Sequence, residues 1–304
     1  MAKFQINILG CGSATPTPRH NPSCQVVDFR DNLFMLDCGE GAQKMMRRMS
    51  LKFSRLNHIF ISHLHGDHCF GLPGLLGTLS LHERTGKVTV HLPEDGIRVL
   101  KPFVDYFCRD TTFELVWEPV PLKGGVVLDT HSLTVEAFPL YHRVPCVGYI
   151  FREKEKPRHL RGDMVKFFNV PVSELAGIKA GADWVAPSGE VIANSRLTTD
   201  ADPSVSYAYC SDTAFDLRVA EAVKGVDVVY HEATYASDLK SDAASRGHST
   251  AAQAAEIARA AGAKKLIIGH YSKRYTSTDV LLNEAREIFP ETVAAEEGLR
   301  INLL

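Results

Sequence analysis

Ser62-His63-Leu64-His65-Gly66-Asp67-His68 places three histidines and one aspartate within the six positions from His63 to His68. In a chain with 13 histidines among 304 residues, such crowding is hard to explain without a metal. Imidazole suits zinc, manganese and iron, and a carboxylate beside it suits a hard dication that also holds water, so the mixture points to hydrolysis rather than to a structural centre. Ile59-Phe60-Ile61-Ser62 reads as a strand running into the motif, and extended backbone puts His63 and His65 on one side. Gly66 then allows a turn that brings Asp67 and His68 back towards them. Gly71-Leu72-Pro73-Gly74-Leu75-Leu76 starts a helix that packs the loop down.

Outward from this loop, short apolar runs read as strands over 4–9, 25–29, 33–36, 58–61, 88–91, 112–117, 133–138 and 146–151. Helical patterns cover 40–49, 71–82 and 96–107. The second half repeats the style, with strands over 207–210, 226–231 and 265–269 and helices over 215–223 and 250–261. Two such series predict an α/β protein in which two mixed sheets pack face to face with helices outside, an αββα sandwich rather than one doubly wound sheet. Residues 152–205 break the pattern. They open with the charged, proline-interrupted run from Arg152 to Arg161 and continue with a short helical piece among Gly, Ala and Pro turns. A structureless loop of that length is uncommon inside a compact domain, so 1–304 reads as a single domain carrying an insertion with a job of its own. A solvated insertion is the plainer alternative.

The other half of a metal site is sought at strand ends. His142 follows Ala137-Phe138-Pro139-Leu140-Tyr141, Asp212 follows Tyr207-Ala208-Tyr209-Cys210-Ser211, and His270 follows Leu266-Ile267-Ile268-Gly269. Seven ligands are too many for one zinc and about right for two. His63, His65 and His142 would hold one ion, Asp67, His68 and His270 the other, with Asp212 bridging. Two-metal sites place their ions ~3.5–4 Å apart and lower the pKa of a shared water to ~7, which gives a nucleophile without a serine or cysteine. Asp67 can also orient that water or accept its proton. Two further segments fit catalytic roles. His248, just ahead of an N-cap at Ser249 or Thr250, can project into a site near a helix amino end that favours anions. Glu232 can hold it in the tautomer needed for proton donation. A capping-loop histidine is the plainer reading of His248, and His231 reads as buried.

The bulk numbers fit an ordinary globular enzyme, with 45% apolar residues, a formal net charge of -2 and a pI near 6.7. Any nucleic-acid partner must therefore be held by a local basic surface rather than by the overall field. The cysteines Cys11, Cys24, Cys38, Cys69, Cys108, Cys146 and Cys210 are odd in number and scattered without a C-x-x-C pair, as in reduced cytosolic proteins. Met1 to Gly10 lack the features of a signal peptide, and no apolar run reaches eighteen residues, so the expected location is cytoplasmic with no membrane partner.

Several segments together resemble the metallo-β-lactamase superfamily, and within it the ribonuclease Z family of tRNA 3′-processing endonucleases, over nearly the whole length. They begin with Gly10-Cys11-Gly12-Ser13-Ala14-Thr15-Pro16, Arg19-His20-Asn21-Pro22-Ser23 and Asp37-Cys38-Gly39-Glu40-Gly41. The run from Ser62 to Gly74, Tyr141-His142-Arg143-Val144-Pro145 and Ser211-Asp212-Thr213 come next. The first metal motif gives only the superfamily. His231-Glu232-Ala233-Thr234, then Gly247-His248-Ser249-Thr250-Ala251-Ala252 and His270-Tyr271-Ser272-Lys273-Arg274-Tyr275 narrow it.

The resemblance implies a metallo-β-lactamase fold, two zinc ions per chain on the seven positions above with manganese as the alternative ion, and Asp67 as proton acceptor. It makes His248 with Glu232 the proton-donating pair. It also implies a precursor tRNA substrate and a homodimer in which the arm of one subunit grips the tRNA elbow while the other subunit cuts. The insertion at about 152–205 falls where that substrate-binding arm should be. It departs from the pattern: Asn169-Val170-Pro171-Val172-Ser173-Glu174-Leu175-Ala176-Gly177 replaces a lysine-rich Gly-Pro tip, with little positive charge beyond Lys166 and Lys179.

The expected reaction is zinc-dependent removal of the 3′ trailer by phosphodiester hydrolysis, leaving a 3′-hydroxyl on the tRNA and a 5′-phosphate on the trailer. Lys273 and Arg274 are suited to phosphate contact, and Arg19 and Asn21 to seating the acceptor end; as plain surface residues they need no such role. The nearest rival is a dinuclear-metal hydrolase of small phosphodiesters, lactones or thioesters on the same fold, which leaves the insertion and His248 unexplained. A scaffold that has lost activity is the rival from another class, yet all seven ligand positions are filled.

Overall fold

A strand covered on both faces needs apolar residues at nearly every position, and the runs of this chain meet that demand. The computed structural model describes residues 4–303; Met1 to Lys3, where the signal-peptide reading begins, lie outside the described residues. One sheet holds β1 (Phe4–Gly10), β2 (Cys24–Phe29), β3 (Asn32–Leu36), β4 (Leu56–Phe60), β5 (Lys87–Pro93) and β6 (Glu114–Val120). The second takes β7 (Gly125–Asp129), β8 (Leu133–Leu140) and β9 (Cys146–Glu153). Two short ladders inside the insertion pair β10 (His159–Leu160) with β13 (Thr198–Thr199) and β11 (Trp184–Val185) with β12 (Val191–Ile192). The second sheet then continues with β14 (Ser206–Cys210), β15 (Val228–Glu232), β16 (Lys265–Gly269) and β17 (Thr292–Ala294), and β18 (Arg300–Asn302) returns to the first.

Both seven-stranded sheets are mixed, with orders β18-β1-β2-β3-β4-β5-β6 and β17-β16-β15-β14-β9-β8-β7. In the first, β18, β1, β2 and β3 run antiparallel in turn, whereas β3 to β6 are parallel. In the second, β14 to β17 are parallel and β7 meets β8 antiparallel. Side chains alternate between the two faces of the first sheet. Leu33, Met35, Ile59, Val88 and Val90 pack with Met45, Met46, Leu72, Leu75, Leu76 and Leu79 from the helices Ala42–Arg48 and Leu72–Leu81. Phe34 and Phe60 face the second sheet, where their rings meet Phe151 and Tyr149 at 5.9 and 5.2 Å. Each fully buried side chain of this kind contributes about 1.5–3 kcal/mol, which ties the sheets together. The expected αββα architecture is thus the one observed.

Several boundaries differ from the sequence reading. β4 begins at Leu56 and ends at Phe60, one residue before the expected end. The strand β7 and the three-residue strands β17 and β18 add to the sequence reading, being short or half exposed, and so does the helix Asp279–Ile288, which buries Leu281 and Ala285 on one face. The seven cysteines are free, six buried and Cys108 partly so. Among the described residues no helix is long and apolar enough to cross a membrane.

Thr130–Leu133 with Arg152–Val205 forms a compact unit of its own, separate from the rest of the chain. Its core is Val170, Ile178, Trp184, Ile192 and Leu197. Asn194 fastens it by donating its amide to the carbonyls of Ile178 and Ala182, at 2.7 and 2.8 Å.

Candidate metal centre

Parallel strands in register end together, so the residues that follow them are delivered to one edge. Cys210 is level with His231, and Glu232 with Gly269. Asp212, Glu232 and His270 are therefore neighbours although 58 positions separate the first from the last. From the first sheet, the segment after β4 carries His63 and His65, and Asp67 and His68 stand on a single helical turn, Gly66–Cys69. That turn is clamped to the loop after β3: Cys38 N–H donates to His68 O at 2.7 Å and Gly71 N–H to Cys38 O at 2.8 Å. A side chain at position 71 would meet the backbone oxygen of Gly39 at 2.1 Å, so only glycine permits the approach.

The predicted ligands converge in two groups. His63, His65, His142 and Asp212 form one, and Asp67, His68 and His270 the other. His63 Nε2 lies 3.1 Å from His65 Nδ1, which is 3.2 Å from His142 Nε2; His68 and His270 bring their Nε2 atoms to 3.3 Å. Tetrahedral ligands about 2.0–2.1 Å from zinc are about 3.3–3.4 Å apart, so these are the spacings of a coordination shell. Asp212 stands between the groups. Its Oδ1 faces His270 and His68 at 3.1 and 3.4 Å, and its Oδ2 faces His63 and His142 at 3.6 and 3.8 Å. The carboxylate is buried and Oδ1 has no hydrogen bond. A buried carboxylate oxygen left without a donor is costly unless a cation completes it, and the donor set fits two such ions.

The outer ring nitrogens are fixed from behind. His63 Nδ1 donates to Ser62 Oγ at 2.9 Å, His68 Nδ1 to Asp37 Oδ2 at 2.7 Å, His142 Nδ1 to Gly247 O at 2.7 Å and His270 Nδ1 to Thr234 Oγ1 at 2.9 Å. Each such bond directs the lone pair on the opposite nitrogen into the cluster, the support that metal-binding histidines require. Asp37 is the hub, for its Oδ2 also accepts from Tyr209 and Ser62, at 2.7 and 2.9 Å. Asp37 has φ +53 and His270 φ +62, strained values for residues other than glycine that the surrounding contacts impose. The roles of Asp37 and Thr234 escaped the sequence reading, although Asp37 is, like Asp212, a polar residue at the tip of an apolar run.

Burial, followed by the neighbouring histidines, pushes His63 well below its ordinary pKa and keeps it neutral, as a ligand must be. Burial lowers His65 and His142 as well, against the opposing pull of Asp212. On His68, burial is outweighed by Asp212, Asp37 and Asp67, which raise it well above that range. A proton held there stands where a cation would. Burial opposes charge on Asp212, yet His270 and His68 hold its carboxyl well below the usual range.

Beside the clusters, His248 Nδ1 is 2.8 Å from Glu232 Oε1. Burial disfavours the imidazolium, but the Glu232 carboxylate prevails and the pKa is pushed up to about 9. Glu232 is fully buried and accepts further hydrogen bonds from Thr213 N–H and from the Thr234 N–H and hydroxyl. His248 precedes the helix Ala251–Ala261, whose N-cap Thr250 forms a capping box with Gln253. His231 is buried and turned to the Glu232 carbonyl, away from this chemistry. Asp67 has its Oδ2 at 3.4 Å from His270 and accepts the Ala14 N–H at 2.7 Å.

A cleft of about 470 Å³ opens over the clusters, lined by Asp67, Asp212, His248 and His270 together with Phe70 and the segment Ser13 to Pro16. Arg19, Lys273 and Arg274 are exposed, Arg274 lying over the Tyr235 ring at 4.9 Å. Asn21 donates its amide to Leu9 O at 3.2 Å, which fastens the loop that carries Arg19. Lys166 and Lys179 are exposed on the separate unit.

The profile of the anti-Pycsar protein Apyc1 matches residues 4–165, and that of the beta-lactamase superfamily domain matches 187–271. The Ribonuclease Z of Bacteroides fragilis strain YCH46 is 51% identical over 304 residues, covering 100% of both chains. That of Parabacteroides distasonis is 52% identical over the same length and coverage. The crystal structure of the human tRNase Z short form superposes with a TM-score of 0.72 at 25% identity, covering 99% of each chain.

Proposed function

The chain belongs to the ribonuclease Z family of the metallo-β-lactamase superfamily, and from this we propose that it hydrolyses the phosphodiester joining a precursor tRNA to its 3′ trailer. The observation that carries the chemistry is the Asp212 carboxylate, buried between two groups of converging imidazoles with one oxygen towards each. In this reading His63, His65 and His142 would hold one metal ion and Asp67, His68 and His270 the second, with Asp212 shared between them. Two zinc ions, or manganese, would supply there a water acidic enough to attack near neutral pH and positive charge to offset that of the phosphoryl oxygens.

The remaining steps rest on side chains. Asp67 orients the attacking water and takes its proton. His248, with Nδ1 held by Glu232, presents Nε2 to the cleft and gives its proton to the departing 3′ oxygen of the tRNA. The Glu232 carboxylate, 2.8 Å from Nδ1, favours the charged ring that this role needs. The products are a tRNA with a free 3′ hydroxyl and a trailer with a 5′ phosphate. Arg19 seats the acceptor end on the loop fastened by Asn21, and Lys273 and Arg274 contact phosphates.

The unit at 152–205 is proposed as the arm that grips the tRNA elbow, with Lys166 and Lys179 as its cations, in a cytoplasmic homodimer. A self-associating surface is supported by Val99, Phe103, Tyr106 and Phe107, which recur at helical spacing on Glu94–Phe107 and are each at least 50% exposed. The test is to purify the protein, measure metal per chain and add a 3′-extended precursor tRNA and, separately, a lactone. A discrete cut at the acceptor end supports the reading. Two metals bound with the lactone turned over and no such cut would replace it with the small-substrate hydrolase.

A further inference from the structure

Outside the centre described above, Cys11, His20 and Glu297 also converge, each bringing one donor atom to within 4.8 Å of the others. Cys11 follows β1, His20 lies ahead of β2 and Glu297 ahead of β18, so the fold gathers them from three segments. Cys11 Sγ is 3.4 Å from His20 Nδ1, and that nitrogen is 3.0 Å from Glu297 Oε2. Around a tetrahedral zinc, with sulfur at about 2.3 Å and nitrogen or oxygen at about 2.0–2.2 Å, donors stand about 3.3–3.6 Å apart. The sulfur–nitrogen pair is therefore already in place, and the nitrogen–oxygen pair has to open by only about 0.3 Å. The backbone around each is held. Tyr271 N–H donates to Cys11 O at 2.9 Å, Asn21 N–H to Glu297 Oε1 at 2.8 Å and Gly298 N–H to Ile8 O at 2.9 Å. Cys11 is fully buried, while His20 and Glu297 line a cleft of about 740 Å³, which gives an ion a way in and water a place as fourth ligand.

An ion pair alone accounts for His20 and Glu297 and asks nothing of position 11. The thiol there has, besides the ring nitrogen, the Ala295 carbonyl at 3.4 Å. Burial, then the Glu297 carboxylate, raises the Cys11 pKa well above the ordinary thiol value, so the sulfur stays protonated until a cation takes the place of its proton. A thiolate, an imidazole and a carboxylate together are a donor set for zinc, unlike the two clusters of the cleft, which are built from histidine and aspartate. The loop between Cys11 and His20 carries Ser13 to Pro16 along that cleft, and its Ala14 N–H bonds Asp67. One ion joining both ends of the loop to Glu297 pins it. We propose that Cys11, His20 and Glu297 form a further divalent-cation site, which takes zinc with release of the thiol proton and clamps the loop 11–20. The site does not depend on the precursor-tRNA reading.

The experiment loads the full-length protein with excess Zn²⁺, or exchanges it into Co²⁺, and removes free metal by gel filtration. Elemental analysis should find one more zinc per chain in the parent than in Cys11→Ser. The cobalt form should show a thiolate-to-metal charge-transfer band in the near ultraviolet, which nitrogen and oxygen ligands do not give, and Cys11→Ser should lack it. Glu297→Gln can still accept the Asn21 N–H and should also lose the extra ion, so the test does not hang on one variant folding. In the parent, zinc should slow tryptic cleavage after Arg19, within the clamped loop, more than it does in Cys11→Ser. Equal zinc in the parent and both variants, or a cobalt form without the band, overturns the site. A band that survives in Cys11→Ser places the sulfur elsewhere, Cys146 beside His63 being the nearest to the clusters, and overturns it as well. Cleavage after Arg19 slowed equally in both proteins overturns the clamp.

Discussion

Glu232→Gln tests whether Glu232 and His248 act as one device. Both Glu232 oxygens are fully used: Oε1 accepts from His248 Nδ1 and Thr213 N–H, and Oε2 from the N–H and hydroxyl of Thr234. Glutamine has the same shape but can accept at only one end. Whichever way its amide turns, an NH₂ faces two donors in a fully buried position. At about 1–3 kcal/mol for each orphaned donor, the fold loses about 2–6 kcal/mol. Loss of the carboxylate also releases His248 from its charge-assisted bond. A positioned acid contributes about 10²–10⁴ to rate, so both Glu232→Gln and His248→Ala should lower single-turnover cleavage of a 3′-extended precursor tRNA by at least about 10². Because the pair acts as a unit, the double variant should fall to the same floor within about threefold. Glu232 also holds His270 through Thr234, so the rates are compared at saturating zinc, with metal per chain measured. Losses that multiply in the double variant would show that the two residues work independently and would refute the acid assignment.

Asp212→Asn should reduce bound zinc from two per chain to one or fewer by elemental analysis, because one of the facing oxygens becomes an NH₂; retention of two ions would remove Asp212 as the bridge. The His58–His91 pair, 3.0 Å apart, gives a pH dependence of stability. Burial, with Lys87 adding repulsion, lowers His58 to about 4, and burial with His58 and Lys87 lowers His91 to about 3. The unfolded chain takes up protons below pH ~6.5 that the fold refuses, so stability falls from there until the folded values are reached. By pH 5, His91 alone accounts for about 2 kcal/mol of that fall. Urea unfolding at pH 7.5 and 5 should show His91→Gln losing less than the parent by about that amount, and an identical loss in both would refute the assignment. Replacing Phe103 and Phe107 together by Asp should convert a dimer into a monomer in sedimentation equilibrium, and a monomeric parent protein would dispose of the proposed surface.

The sequence by itself determined which histidines and aspartates converge, and the layer architecture. Metal ligands cluster because a cation needs several donors within a few ångströms, and His63 to His68 records that demand in consecutive positions. Apolar runs of strand length alternating with helical periods allow few ways of burying both. Even His142, Asp212 and His270 were legible, since each is a polar residue at the tip of an apolar strand. Only the tertiary structure decided what joins them. The assignment of β7 to β9 to the second sheet, and the return of β18 to the first, depend on pairings between distant segments that leave no local period. Asp37 became the hub of the site because folding brings Ser62, His68 and Tyr209 around one carboxylate. Gly247 O meets His142 Nδ1 across 105 positions. Cys11, His20 and Glu297 meet through the same kind of packing. Long-range contacts of this kind are fixed by what surrounds a residue in space, which residue type and spacing along the chain do not encode.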